Sequence, residues 1–91
     1  MKATRIKMNQ GCSFSNNIQE ISKIYIENCR VPGWYDKAAI YDFLISNPNS
    51  IYVNISPYPY LLPARSIYGE KYVRSEPNDT IKDNLLKLPR E

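Results

Sequence analysis

Two cysteines, Cys12 and Cys29, and a complete lack of histidine are the first constraint on what this 91-residue chain does. A structural zinc site takes four nitrogen, sulfur or oxygen ligands, and a catalytic one takes three plus water. Two separated thiols with no imidazole argue against zinc, and no metal is expected. A serine or cysteine nucleophile needs a base in hydrogen-bond reach, nearly always histidine, and no motif puts a lysine or carboxylate in that role. Asp36, Asp42, Asp79 and Asp83 are the candidates for a carboxylate pair of the glycosidase type. Each of them sits where Asp is common for local reasons, at caps and in turns. Gly11, Gly33 and Gly69 are isolated, so there is no glycine-rich loop to cradle phosphate. The expectation is a protein that is not an enzyme and carries no cofactor. A secreted disulfide framework would normally show four or more cysteines, so Cys12 and Cys29 are expected as reduced thiols.

What remains is binding chemistry. Eight tyrosines against two phenylalanines and one tryptophan is an unusual aromatic balance, and phenol hydroxyls seek water or a partner, so many of these rings should be half-buried or exposed. Alternation along the predicted strands sends Arg5, Lys7, Lys23, Tyr25, Glu27, Tyr52, Asn54, Tyr72 and Arg74 outward. Cations interleaved with rings can hold single-stranded nucleic acid, the rings stacking on bases while Lys and Arg follow phosphate. The same face suits a protein partner, for which Tyr and Arg are the usual anchors, and Tyr58 and Tyr60 would be displayed beside it as loop contacts. The plainer reading is that Tyr forms strands well and that Tyr, Lys and Arg neighbours stabilise a solvated sheet face. The net charge of +3 is mild, short of the clustered excess of a dedicated duplex binder. A protein-binding or accessory module is the favoured expectation, with single-stranded nucleic acid as the alternative.

These residues need a scaffold, and one amphipathic helix organises it. In the stretch Asp36–Ser46, Ile40, Phe43 and Leu44 recur at i, i+3 and i+4 and form an apolar stripe. Asp36 is placed to cap the helix N-terminus, and Asn47-Pro48 ends it, because a residue before proline is pushed out of the helical region. Trp34 stands just ahead, where a hydrophobic staple would pack. Thr4–Met8 alternates as a half-buried strand with Thr4, Ile6 and Met8 on one face. The polar run 9–17 reads as a loop from which Phe14 tucks back onto the core. From Ser22 the alternation returns, with Ile24 and Ile26 inward, and Arg30–Gly33 reads as a turn.

Beyond the helix, Ser50–Ser56 shows the cleanest strand pattern, with Ile51, Val53 and Ile55 on one face. Pro57-Tyr58-Pro59-Tyr60 predicts an extended polyproline-like connector. Leu61–Tyr68 reads as an edge strand, and Gly69-Glu70 has the form of a two-residue hairpin loop leading into Lys71–Ser75, with Val73 inward. Leu85, Leu86 and Leu88 of the tail should close the core. The order β-β-α-β-β-β predicts an α+β fold: a small, mostly antiparallel sheet of four or five strands with one helix on one face. Residues 1–91 form one domain, and 43 % hydrophobic with 23 % charged residues is the balance of a folded chain. No apolar run reaches the length of a signal peptide's core or a bilayer span, so a cytoplasmic protein with no membrane partner is expected.

The C-terminal run Lys71-Tyr72-Val73-Arg74-Ser75, Asp79-Thr80 and Asp83-Asn84-Leu85-Leu86-Lys87-Leu88-Pro89 resembles the signature of a small bacterial family, domain of unknown function 3892. Members typically end in K-Y-[IL]-[RK]-T-x-x-D-x-T-x-x-x-N-L-L-x-L-P. Here Ser75 stands where that pattern prefers Thr, and Asn78-Asp79 where Asp-Gly is common. The resemblance implies a small cytosolic protein, bacterial or phage-borne, with no established activity, substrate or cofactor. The signature residues themselves read as structural, with Asp79 and Thr80 turning the chain, Asn84 bonding backbone in a bend, and the leucines filling the core.

Overall fold

Strand β1 (Lys2–Met8) is the one on which the others assemble. In the computed structural model, which describes residues 1–77 and 83–91, it pairs antiparallel with β2 (Ile21–Glu27), and β2 pairs antiparallel with β3 (Gly33–Asp36). On its other edge β1 takes a short parallel strand, β4 (Tyr52–Val53), at Lys2 and Ala3. This gives a mixed sheet in the order β3-β2-β1-β4. A two-stranded antiparallel sheet, β5 (Leu61–Arg65) with β6 (Lys71–Ser75), lies apart from it. Helix α1 (Lys37–Ser46) contacts both sheets. The α+β class and the order of the predicted elements hold, with β3 as an extra strand in the stretch read as turn and staple.

The inward faces are set by alternation corrected at two irregularities. Thr4 has no partner between the pairs Ala3–Ile26 and Arg5–Tyr25. The extra residue resets the phase, so Ala3, Ile6 and Met8 are core residues, whereas Thr4, expected among them, is half-buried with its hydroxyl enclosed. A second shift at Lys7/Met8 lets Ile21 join Ile24 and Ile26 inside. Ile40 and Leu44 of α1, Ile51, Val53, Leu61, Val73 and the tail residues Leu85, Leu86 and Leu88 complete one apolar cluster. Phe43 of the predicted stripe stays 38 % exposed.

Several local expectations are corrected. Asp36 occupies the N-cap position but its side chain makes no cap bond. It is the last residue of β3, and its carboxylate lies 3.7 Å from Lys23 on the next strand. Phe14 is 96 % exposed rather than tucked inward. The strand predicted over Ser50–Ser56 is paired as β4 only at Tyr52 and Val53, because the chain turns at once: the Ile55 amide donates to the Val53 carbonyl and the Tyr58 amide to that of Ile55. Residues 57–60 are therefore a reversal and not an extended connector. Val53 donates to Pro59, Leu61 donates to Ile51, and Tyr58 adopts a φ of 60°. The β5–β6 connection spans Ser66–Glu70, longer than the two residues expected. It closes through the Ser66 amide to Glu70 and the Gly69 amide to Ser66, with Gly69 at φ +81°, a value glycine accepts without strain.

Two devices hold the sheets together. Lys37, whose side chain is 13 % exposed, donates to the Gln19 carbonyl and to Glu70, both at 2.6 Å. At the other end Asp83 closes the chain against β6. Its carboxylate accepts from the Ser75 amide, from the Ser75 hydroxyl at 2.6 Å, and from the Leu85 amide at the start of a 3-10 turn, Asn84–Lys87. The Ser75 hydroxyl in turn accepts from the Asn84 amide. Ser75, Asp83 and Asn84 of the signature thus do structural work, while Asp79 and Thr80 lie outside the described residues.

The two aspartates should behave oppositely. Asp83→Ala leaves the buried Ser75 donors without their acceptor and should lower stability by about 2–3 kcal/mol, read as a fall in urea midpoint at constant slope. Asp36→Ala removes no cap bond and only a long, exposed ion pair, so its midpoint should change by less than about 0.5 kcal/mol.

Candidate functional site

The outward face of the four-stranded sheet gathers the charged and aromatic residues that the strands do not bury. Because Ala3 and Ile6 point in, Lys2, Arg5 and Lys7 of β1 point out, beside Lys23, Tyr25 and Glu27 of β2. Strand β3 adds Trp34, which pairs with Tyr25 in register. The two rings meet edge to face, with centroids 5.4 Å apart and planes at 82°. The Arg5 guanidinium lies 4.1 Å above the Tyr25 ring and 5.8 Å from Trp34, and the Lys7 ammonium is 5.0 Å from Trp34. Such contacts contribute about 0.5–1 kcal/mol each at exposed sites, enough to fix the side chains without covering them.

Much of the positive charge here is locally balanced. Arg5 makes a 3.0 Å ion pair with Glu91, which reaches the face because residues 89–91 run parallel to β1. The Ile6 amide donates to the Pro89 carbonyl, and the Glu91 amide donates back to Ile6. Arg90 anchors this segment, its guanidinium donating to the Ser13, Ser15 and Leu86 carbonyls. Lys23 faces Asp36. Of the four cations on the face, Lys2 and Lys7 have no carboxylate partner among the described residues.

The structure brings together Arg5, Lys7, Lys23 and Tyr25 and separates the rest of the expected constellation. Tyr52 is on β4, divided from β2 by β1, and its ring packs edge to face against Tyr58 with centroids 6.1 Å apart. Tyr60 bridges back to Tyr52, and with Asn54 these three tyrosines line a shallow pocket of their own. Tyr72 and Arg74 belong to β6 in the other sheet. They alternate with Lys71 and Val73, and Lys71 pairs with Asp42 of α1 at 2.7 Å, so the Tyr72 side of the hairpin is turned away from the helix. They cannot extend the Tyr25 face, because the reversal at 57–60 starts a new sheet. Trp34 was the residue to add: Gly33–Asp36 is too short to show a period, and its only signal is a large aromatic beside a turn.

Thiol chemistry lies elsewhere. Cys12 and Cys29 are both free. The Cys12 thiol donates to the Glu20 carboxylate at 3.3 Å, and that hydrogen bond, with burial and the Glu20 charge behind it, raises the thiol pKa above its usual value. Glu20 is lowered, first by the Asn9 amide, then by Cys12, with Lys37 adding to both. No group of three or more metal-ligating side chains occurs among the described residues, and no described helix is long and apolar enough to cross a membrane.

A family model described as Protein of unknown function (DUF3892) matches residues 2–89. The chain belongs to that family. Neither a curated protein nor a solved structure matches it. The DUF3892 match takes in both the β1–β2–β3 strands and the Ser75–Asp83 closure.

The Cys12–Glu20 pair gives a test of local electrostatics. Glu20→Gln removes the charge that disfavours the thiolate, so Cys12 in a Cys29→Ser background should alkylate a few-fold faster at pH 8 than with Glu20 present. The sign follows for stability too. A lowered Glu20 pKa stabilises the fold above the ordinary carboxylate pKa, and that contribution fades as pH falls through the folded value.

Proposed function

We propose that this DUF3892 protein is a non-enzymatic binding module that docks a protein partner on the Arg5–Lys7–Tyr25–Trp34 face. The supporting observation is the composition and charge of that face. Two half-buried rings, each with a cation against it, form a compact, ordered patch of the residue types that dominate protein interfaces. The side chains are already held by strand pairing and cation–π contacts, so docking costs little conformational entropy. Single-stranded nucleic acid is less well served. Arg5 and Lys23 are paired with Glu91 and Asp36, and Glu27 stands opposite Lys2 in register, which leaves little net field to draw phosphate. The Tyr25 ring face is occupied by Arg5, and its edge-to-face contact with Trp34 offers no parallel platform for successive bases.

Photocrosslinking from the face tests this. A photoreactive phenylalanine analogue at Tyr25 should yield a discrete protein adduct in cells, with none from Ile67, which is 92 % exposed in the β5–β6 loop. Trp34→Ala should cut adduct formation sharply, since an anchor of this kind is worth about 2 kcal/mol or more, roughly thirtyfold in affinity. Equal labelling from both positions would sink the proposal. So would quenching of Trp34, the chain's single tryptophan, by oligothymidylate in a salt-dependent titration.

A further inference from the structure

On the opposite side of the sheet, a cavity of about 670 Å³ opens between α1 and the turn that joins β2 to β3. Its floor is the core itself, Ile26, Ile40 and Ile51, each 3 % exposed. Phe43 forms one wall, which accounts for the helix-stripe residue left partly uncovered. The size falls within the range of small-ligand pockets. The rim is fixed in advance, because the Tyr35 hydroxyl donates to the Val31 carbonyl and pins the turn. A pre-formed cavity needs no ordering when a ligand enters.

The lining carries one charged side chain. Arg30 stands at the rim as the only ionic side chain among the lining residues, and its guanidinium forms no ion pair with any described residue. Arg5 holds Glu91, Arg65 holds the Tyr41 hydroxyl and Arg90 holds three carbonyls; Arg74 is likewise without an ion pair among the described residues, but it lies on β6 and does not line this cavity. An arginine without an ion pair in the lining of a cavity floored by aliphatic side chains complements a molecule with an apolar chain and a terminal anion, since its planar fork bonds carboxylate bidentately. We infer that this cavity is a binding site for a carboxylate-headed alkyl chain, with the chain on Ile26, Ile40 and Ile51 and the head on Arg30. The site is independent of the protein-docking face and stands or falls separately.

Cys29 lines the cavity and supplies the readout. In a Cys12→Ser background the remaining thiol is alkylated with iodoacetamide in the presence of decanoate, decanol or decyltrimethylammonium. Decanoate should slow alkylation of Cys29 at least severalfold at saturation, and decyltrimethylammonium should not. Arg30→Ala should weaken decanoate roughly tenfold, the loss of a charge-assisted contact, and leave decanol unchanged. Because Arg30 is exposed, this variant should keep the fold, checked by an unchanged amide spectrum. Ala39→Phe, which fills the mouth from the helix side, should abolish protection by decanoate. Equal protection by decanoate and decanol with no effect of Arg30→Ala would overturn the assignment. Protection that needs no ligand and rises with protein concentration would also overturn it, because a second copy would then fill the cavity.

Discussion

The backbone of β1 must be hydrogen-bonded along both edges, and the rest of the molecule is arranged to meet that demand. A strand with Ala3 and Ile6 fully buried cannot leave its amides and carbonyls open without a penalty comparable to a lost hydrogen bond for each. Strand β2 satisfies one edge over nearly its whole length. The other edge is divided, with β4 covering Lys2 and Ala3 and residues 89–91 covering Ile6. Neither could cover it alone: β4 turns away after Val53, and the C-terminal segment arrives only through the Ser75–Asp83 closure and the 3-10 turn that follows.

That arrangement also creates the candidate interface. Alternation on β1 that points Ala3, Ile6 and Met8 into the core necessarily points Arg5 and Lys7 out, next to Tyr25 and Trp34. The C-terminal pairing then brings Glu91 to Arg5. Stability and surface chemistry therefore share one register, and a slip of one residue would exchange the two faces. The apolar cavity lies between the β2–β3 turn and α1, with Phe43, 38 % exposed, in its wall.

Much of this was legible in the residues. The period of Ile40 and Leu44 located the helix, Ile24 and Ile26 located β2, and the Lys71–Pro89 signature pointed to the family. Where the reading failed, the cause was short-range geometry that period cannot see. Thr4 looked like a core residue because a bulge does not show in a binary pattern. Ile55 looked like a strand residue because the turn at 53–58 is made by backbone bonds rather than by a glycine. Tyr72 and Arg74 matched the alternation of Tyr25 but belong to another sheet, and strand partnership is a long-range property. Trp34 was placed as a staple because four residues are too few to reveal a strand. The grouping of Arg5, Lys7, Lys23 and Tyr25 survived because it depends on two long, adjacent strands.

The divided edge of β1 also bears on how the molecule comes into being. Ile6 leaves the ribosome long before its backbone partner, the 89–91 segment, which follows only after the helix and both sheets have been made. Pairings so distant along the chain form slowly, because the loop between them must close first. Until then the nascent protein holds the Ile6 end of β1 with one flank open, a template for any extended strand nearby.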